Sequence, residues 1–86
     1  MQKIVINVDY GGYGLSVAAQ EIVGPNWRDV PRDDPALVAT VESLGKASWG
    51  NYANLAVVEI PDDVLWHIAE YDGLEHVAEN HRTWRA

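Results

Sequence analysis

The sequence predicts an α+β fold: a single two-layer domain in which a small mixed or antiparallel β-sheet of three or four strands, including a C-terminal hairpin, is covered by two helices. Three observations carry that expectation. Residues 3–9 alternate apolar and polar; Asp34-Pro35 opens an apolar stripe at helical spacing; and Asp72-Gly73, the pair favoured in two-residue hairpin turns, separates two strand-like runs. A chain of 86 residues accommodates one core, so residues 1–86 form one domain.

Ile4, Ile6 and Val8 lie on one face of the first strand, with Val5, Asn7 and Asp9 on the other, the period of a half-buried strand. Tyr10-Gly11-Gly12-Tyr13-Gly14 follows as a flexible corner. Ser16 then caps a helix that presents Leu15, Ala18, Ala19 and Ile22 along one side and stops at Gly24-Pro25. Residues 26–33 lack periodicity and read as a loop packed down by Trp27, with room for a short strand. The second helix has Asp34 as cap, Pro35 at its first position, Leu37, Val38, Val41 and Leu44 on one stripe, and Gly45 as terminator. Residues 46–54 are irregular. Residues 55–60 are apolar on both faces except Glu59, as in a central strand, and Pro61-Asp62-Asp63 makes the next turn.

The Asp72-Gly73 turn fixes a hairpin register: Tyr71 opposite Leu74, Glu70 opposite Glu75, Ile68 opposite Val77 and Trp66 opposite Glu79. Two carboxylates thus face each other, an unfavourable pairing without a compensating cation. Leu74, Val77, Ala78 and His81 also fit one face of a helix, but the turn favours the hairpin.

Thirteen acidic residues against six basic ones give a formal charge of −7. Such a charge repels phosphate backbones and argues against direct nucleic-acid binding, while allowing the protein to imitate DNA. Without cysteine there is neither a disulfide framework nor a thiolate zinc site, which suits a reducing cytoplasm. The N-terminal apolar stretch is broken by Asn7 and Asp9, too short for a leader or a membrane span, so the expectation is a cytoplasmic protein that begins directly with structure and has no membrane partner. A chain this short buries roughly 60–65% of its extended surface, and its marginal stability favours a homo-oligomer.

Two segments stand out as a binding site. In the corner of Tyr10, Gly11, Gly12, Tyr13 and Gly14, leading to Ser16, free backbone amides would face an anion and the tyrosines would stack on a base. The tail of His81, Arg82, Thr83, Trp84 and Arg85 offers guanidinium forks, an imidazole and an indole, a set suited to a phosphorylated aromatic ligand. Alternatively Trp84 packs on the core and Arg82 neutralises Glu70, Glu75 or Glu79. Arg28 and Arg32 flank the same loop and would reach either a ligand phosphate or nearby aspartates.

Catalysis is not expected. The glycine spacing is neither a Walker loop nor a dinucleotide fingerprint, and no serine lies in a nucleophile elbow. His67 and His76 share a face of the hairpin but lack a third metal ligand. The carboxylates Asp62, Asp63, Glu70, Asp72, Glu75 and Glu79 read as turn chemistry and a solvated face. No cofactor and no metal are expected.

The motifs Tyr10-Gly11-Gly12-Tyr13-Gly14-Leu15-Ser16, Arg32-Asp33-Asp34-Pro35, Val57-Val58-Glu59-Ile60-Pro61-Asp62-Asp63-Val64, Glu70-Tyr71-Asp72-Gly73 and His81-Arg82-Thr83-Trp84 resemble those of a family of small accessory proteins of tailed bacteriophages. The resemblance spans nearly the whole chain and departs in the first helix and the loop after it. It implies a setting, in which small phage proteins block host defence by binding rather than turnover. The leading expectation is sequestration of a nucleotide-derived, phosphorylated or ADP-ribose-like immune signal by Tyr10, Gly11, Gly12, Tyr13, Gly14, Ser16, Arg32, His81, Arg82 and Trp84. The alternative is an acidic, DNA-mimicking inhibitor of a host defence nuclease such as a CRISPR effector.

Overall fold

The alternation, caps and turn read above become six regular elements in a computed structural model that describes residues 1–80. They are β1 (Gln2–Asn7), α1 (Val17–Val23), α2 (Pro35–Leu44), β2 (Leu55–Ile60), β3 (Trp66–Tyr71) and β4 (Leu74–Glu79), with 3-10 turns at Trp27–Asp29 and Gly45–Ser48. The class is α+β. The four strands divide into two antiparallel pairs, β1 with β2 and β3 with β4, instead of closing one sheet.

The reason for the division lies along the edge of β1 that faces away from β2. There the Val5 amide donates to the Arg32 carbonyl at 2.8 Å, and the Arg32 guanidinium donates back to the Val5 carbonyl at 3.2 Å. The Asn7 amide donates to Glu75 Oε1 at 2.8 Å. A loop residue and a carboxylate from β4 therefore satisfy the backbone groups that a third strand would have used.

Burial on both faces is the second departure. Ile4, Val5, Ile6 and Asn7 are all buried, whereas Val8, placed on the buried face by the alternation, lies past the strand and is exposed. Val5 joins Leu15, Ala19, Trp27, Leu37, Val38, Val41 and Leu55 in the core beneath the helices. Ile4 and Ile6 occupy the opposite face together with Gln2, whose side-chain carbonyl accepts the Trp66 indole N–H at 3.1 Å; this is the face toward the hairpin. Among the described residues β2 pairs with β1 alone, as an edge strand does, and not as the central one its composition suggested.

In α1, Ser16 caps by accepting from the Ala19 amide at 3.2 Å, and Gly24 at φ 113° ends the helix. Its buried side is Leu15, Ala19 and Val23; Ala18 and Ile22, expected on that side, face solvent. The rotation is set from below: the Ser16 hydroxyl donates to the Ala47 carbonyl at 2.5 Å and its amide to the Ser48 carbonyl at 2.9 Å. Trp27 is buried as expected, within a 3-10 turn and not a strand.

α2 follows its reading closely, with Leu37, Val38 and Val41 buried and Asp34 Oδ2 accepting from the Ala36 and Leu37 amides at 3.0 and 3.1 Å. Asp34→Ala is expected to lower stability by about 1 kcal/mol, because two end amides lose their acceptor. The exposed neighbouring Asp33→Ala should change it by under about 0.5 kcal/mol. Urea denaturation of the two variants side by side checks the difference.

The hairpin forms in the expected register, residue for residue, and the helical alternative for Leu74 onward does not. Asp72 at φ 52° and Gly73 at φ 90° make its turn. No helix among the described residues is long and apolar enough to cross a membrane.

Candidate functional site

The glycine corner is built by close backbone approach. A Cβ on Gly73 would overlap the Tyr10 carbonyl, and one on Gly11 would overlap the Tyr52 carbonyl, so three loops, residues 9–14, 50–53 and 72–73, press together. Asn7, wholly buried at the end of β1, ties them: its side-chain amide donates to the carbonyls of Gly73 at 2.7 Å and Asp9 at 2.6 Å, and its carbonyl accepts from the Asn54 amide at 2.9 Å. A further bond runs from the Gly50 amide to the Gly14 carbonyl at 2.9 Å.

Gly11 to Gly14, with Gln20, Arg28, Asn51 and Tyr52, line an open concavity of about 240 Å³. The Arg28 guanidinium lies 4.3 Å from the Trp27 ring centre. Pockets that enclose drug-sized ligands run to roughly 300–1,000 Å³ and bury most of the ligand, so this one matches a small polar group better than a whole nucleotide. Ser16, expected among the binding residues, is committed to capping and to Ala47.

Arg32, expected in the ligand set, is engaged within the fold. Its two terminal nitrogens donate to Glu75 Oε1 and Oε2 at 2.7 and 2.9 Å, and its guanidinium carbon lies 3.5 Å from the centre of the Tyr13 ring. This is the cation that the cross-strand carboxylates required; Glu70, the other partner, turns instead to the Gly73 amide at 3.1 Å. Tyr13 sits between Arg32 and Trp27, the two ring centres 5.8 Å apart, and its hydroxyl is buried without a hydrogen-bond partner among the described residues. Burial pushes the Tyr13 phenol above its ordinary value near 10, only partly opposed by the Arg32 charge. The neutral phenol therefore contributes stability that is present below that value and lost as pH rises through the higher folded one.

His81, Arg82 and Trp84 lie outside the described residues. Asn80, the last described, donates its amide to the Leu65 carbonyl at 2.8 Å, at the end of β4 remote from the Gly73 turn. A six-residue strand spans about 20 Å, so β4 carries the chain that far from the glycine corner.

Tyr52 and Tyr71, outside the expected binding set, lie with Tyr10 in or next to the backbone segments that press together at the corner. The three are 78%, 77% and 62% exposed, with Tyr71 at the end of β3 before its turn; the exposed carboxylates Asp9, next to Tyr10, and Glu70 and Asp72, next to Tyr71, are their neighbours in sequence. Their positions do carry a signal: Tyr10 and Tyr71 sit next to the Gly11 and Asp72-Gly73 turns, and Tyr52 follows Gly50-Asn51. Lys3 pairs with Glu42 at 3.0 Å and the Met1 amine with Asp62 at 3.3 Å, both on the surface. Among the described residues no three histidines or carboxylates gather as a metal site; His67 and His76 share a hairpin face, and His67 bonds Asn80.

No protein-family model, no curated protein and no solved structure matches the chain.

Proposed function

We propose that the protein is a non-enzymatic binding protein, a phage accessory protein acting against host defence, which docks its acidic, tyrosine-bearing end on a basic surface of a host defence protein, such as a CRISPR nuclease, and so denies that surface to nucleic acid. The observation that carries this reading is the set of Tyr10, Tyr52 and Tyr71, exposed among Asp9, Glu70 and Asp72 on loops locked by close glycine contacts. Tyrosine offers a large contact area at small loss of conformational entropy, and preformed loops reduce the ordering that binding requires. Surrounding carboxylates steer the encounter with a basic partner and weaken as salt screens them.

A second reading, sequestration of a phosphorylated or ADP-ribose-like signal, is supported by the glycine-lined concavity with Arg28 at its wall. With Arg32 paired to Glu75, that reading needs further cations from outside the concavity.

Affinity capture from host lysate, quantified protein by protein, separates the two. Wild-type protein should retain a basic partner at low salt and release most of it at about 0.5 M salt. The Tyr10→Ala, Tyr52→Ala, Tyr71→Ala triple variant should lose retention at least about ten-fold, since interface tyrosines are frequent hot spots. Retention unchanged in the triple variant, or lost on Arg28→Glu alone together with calorimetric binding of a nucleotide, contradicts the docking reading. Glu75 is unsuitable for such charge reversal because it is buried in its pair with Arg32.

A further inference from the structure

The β3–β4 hairpin is attached to the fold differently from the helices and from β2. Residues 61–80 contribute no member of the apolar core, and the one buried residue among them is Glu75; Trp66, Ile68 and Val77 are only half-buried. Among the described residues no bond between two backbone groups joins the hairpin to residues 1–60, so every hydrogen bond across the seam involves a side chain. Glu75 accepts from the Asn7 amide at 2.8 Å and from the Arg32 guanidinium at 2.7 and 2.9 Å, the Asn7 side chain donates to the Gly73 carbonyl at 2.7 Å, and the Trp66 indole donates to Gln2 at 3.1 Å.

Within itself the hairpin is complete. Its six cross-strand pairs are followed by a bond from the Asn80 amide to the Leu65 carbonyl at 2.8 Å. The turn before it stays with β1, because the Gln2 side chain donates to the carbonyls of Pro61 and Val64, each at 2.9 Å. A fixed turn therefore meets a self-contained unit at the Val64–Leu65 junction.

We infer that the hairpin opens as a unit about Val64–Leu65 while the two helices and the β1–β2 pair stay folded, with Glu75 as its latch. Proteins open locally in cooperative units, and those with few buried apolar contacts open at the lowest free energy. An isolated two-stranded hairpin is marginal in water, so release and fraying of its ladder coincide. Opening uncovers Ile4 and Ile6, withdraws the Gly73 turn from the Tyr10 carbonyl, and takes the Tyr71 segment out of the corner. One consequence rests on the docking reading above: the tyrosine end is complete only while Glu75 is latched, and a docked partner holds the hairpin closed.

Native-state amide exchange of the free protein, across a series of low urea concentrations, tests the opening whether or not a partner exists. The two-residue turn makes Ala69 with His76 and His67 with Ala78 hydrogen-bonded pairs, so the Ala69, His76 and Ala78 amides report the hairpin while Thr40 and Val41 report α2. The hairpin amides should exchange together, at least about ten-fold faster than Thr40 and Val41 and with a weaker urea dependence, because a partial opening exposes less surface. Val38→Ala, in the core that the opening leaves intact, should speed Thr40 and Val41 at least about ten-fold and leave the hairpin amides within about two-fold. Glu75→Gln should speed the hairpin amides at least about ten-fold. If either variant does not fold, the urea dependence of the wild type decides alone. Hairpin amides that share the rate and urea dependence of α2, or that speed up with it in Val38→Ala, overturn the proposal, as does unchanged hairpin exchange in Glu75→Gln.

Discussion

Replacing Glu75 by alanine is expected to destabilise the fold by about 3–5 kcal/mol, a large part of the stability of a domain this small. The carboxylate is 7% exposed and accepts from both terminal nitrogens of Arg32 and from the Asn7 amide. Its loss leaves a guanidinium and a backbone donor without their acceptor at the seam where β4 meets β1. A double change, Arg32→Met with Glu75→Leu, removes both charges and should recover most of the loss, leaving mainly the Val5 and Asn7 bonds unmade. Glu70, directly across from Glu75 but exposed, should tolerate alanine within about 0.5 kcal/mol. Urea unfolding midpoints check all three, and a Glu75→Ala loss below about 1 kcal/mol would show that the pair does not hold the two strand pairs together.

The second large effect is expected at Gly73. Alanine there meets two penalties: a φ of 90°, and a Cβ that overlaps the backbone carbonyl of Tyr10. The left-handed region costs an alanine roughly 1–2 kcal/mol and overpacking about 1–3 more, so a total near 3 kcal/mol is expected. Relaxation is blocked, because the Asn7 side chain holds the Gly73 carbonyl. Gly12 supplies the control: its φ is 93°, yet a Cβ there meets no atom within 4 Å, so Gly12→Ala should show the conformational penalty alone. Equal losses at the two positions would mean that the close approach of the turn to Tyr10 is not what locks the loops.

Local signals in the sequence suffice wherever one or two residues decide the structure. Ser16, Asp34-Pro35 and Asp72-Gly73 placed two helix starts and a hairpin register, because caps and two-residue turns depend on nearby backbone groups alone. What failed depended on distant partners. The capped outer edge of β1 and the rotation of α1 follow from Arg32, Glu75 and the carbonyls of Ala47 and Ser48, which no periodicity reveals. The facing pair Glu70 and Glu75 did announce a missing cation. Its identity as Arg32, 43 residues away, is legible only in three dimensions.

The proposed function turns on how segments distant in sequence meet at one corner. Tyr10, Tyr52 and Tyr71 gain meaning together only because Gly11 and Gly73 allow three backbones to touch. Native mass spectrometry of the protein purified at low ionic strength from bacterial cells tests this account most directly. Complexes that contain a second, basic protein are expected, and they should vanish when all three tyrosines become alanine in a chain with unchanged unfolding. One phosphorylated small molecule retained per subunit, with no protein partner in either form, would contradict it.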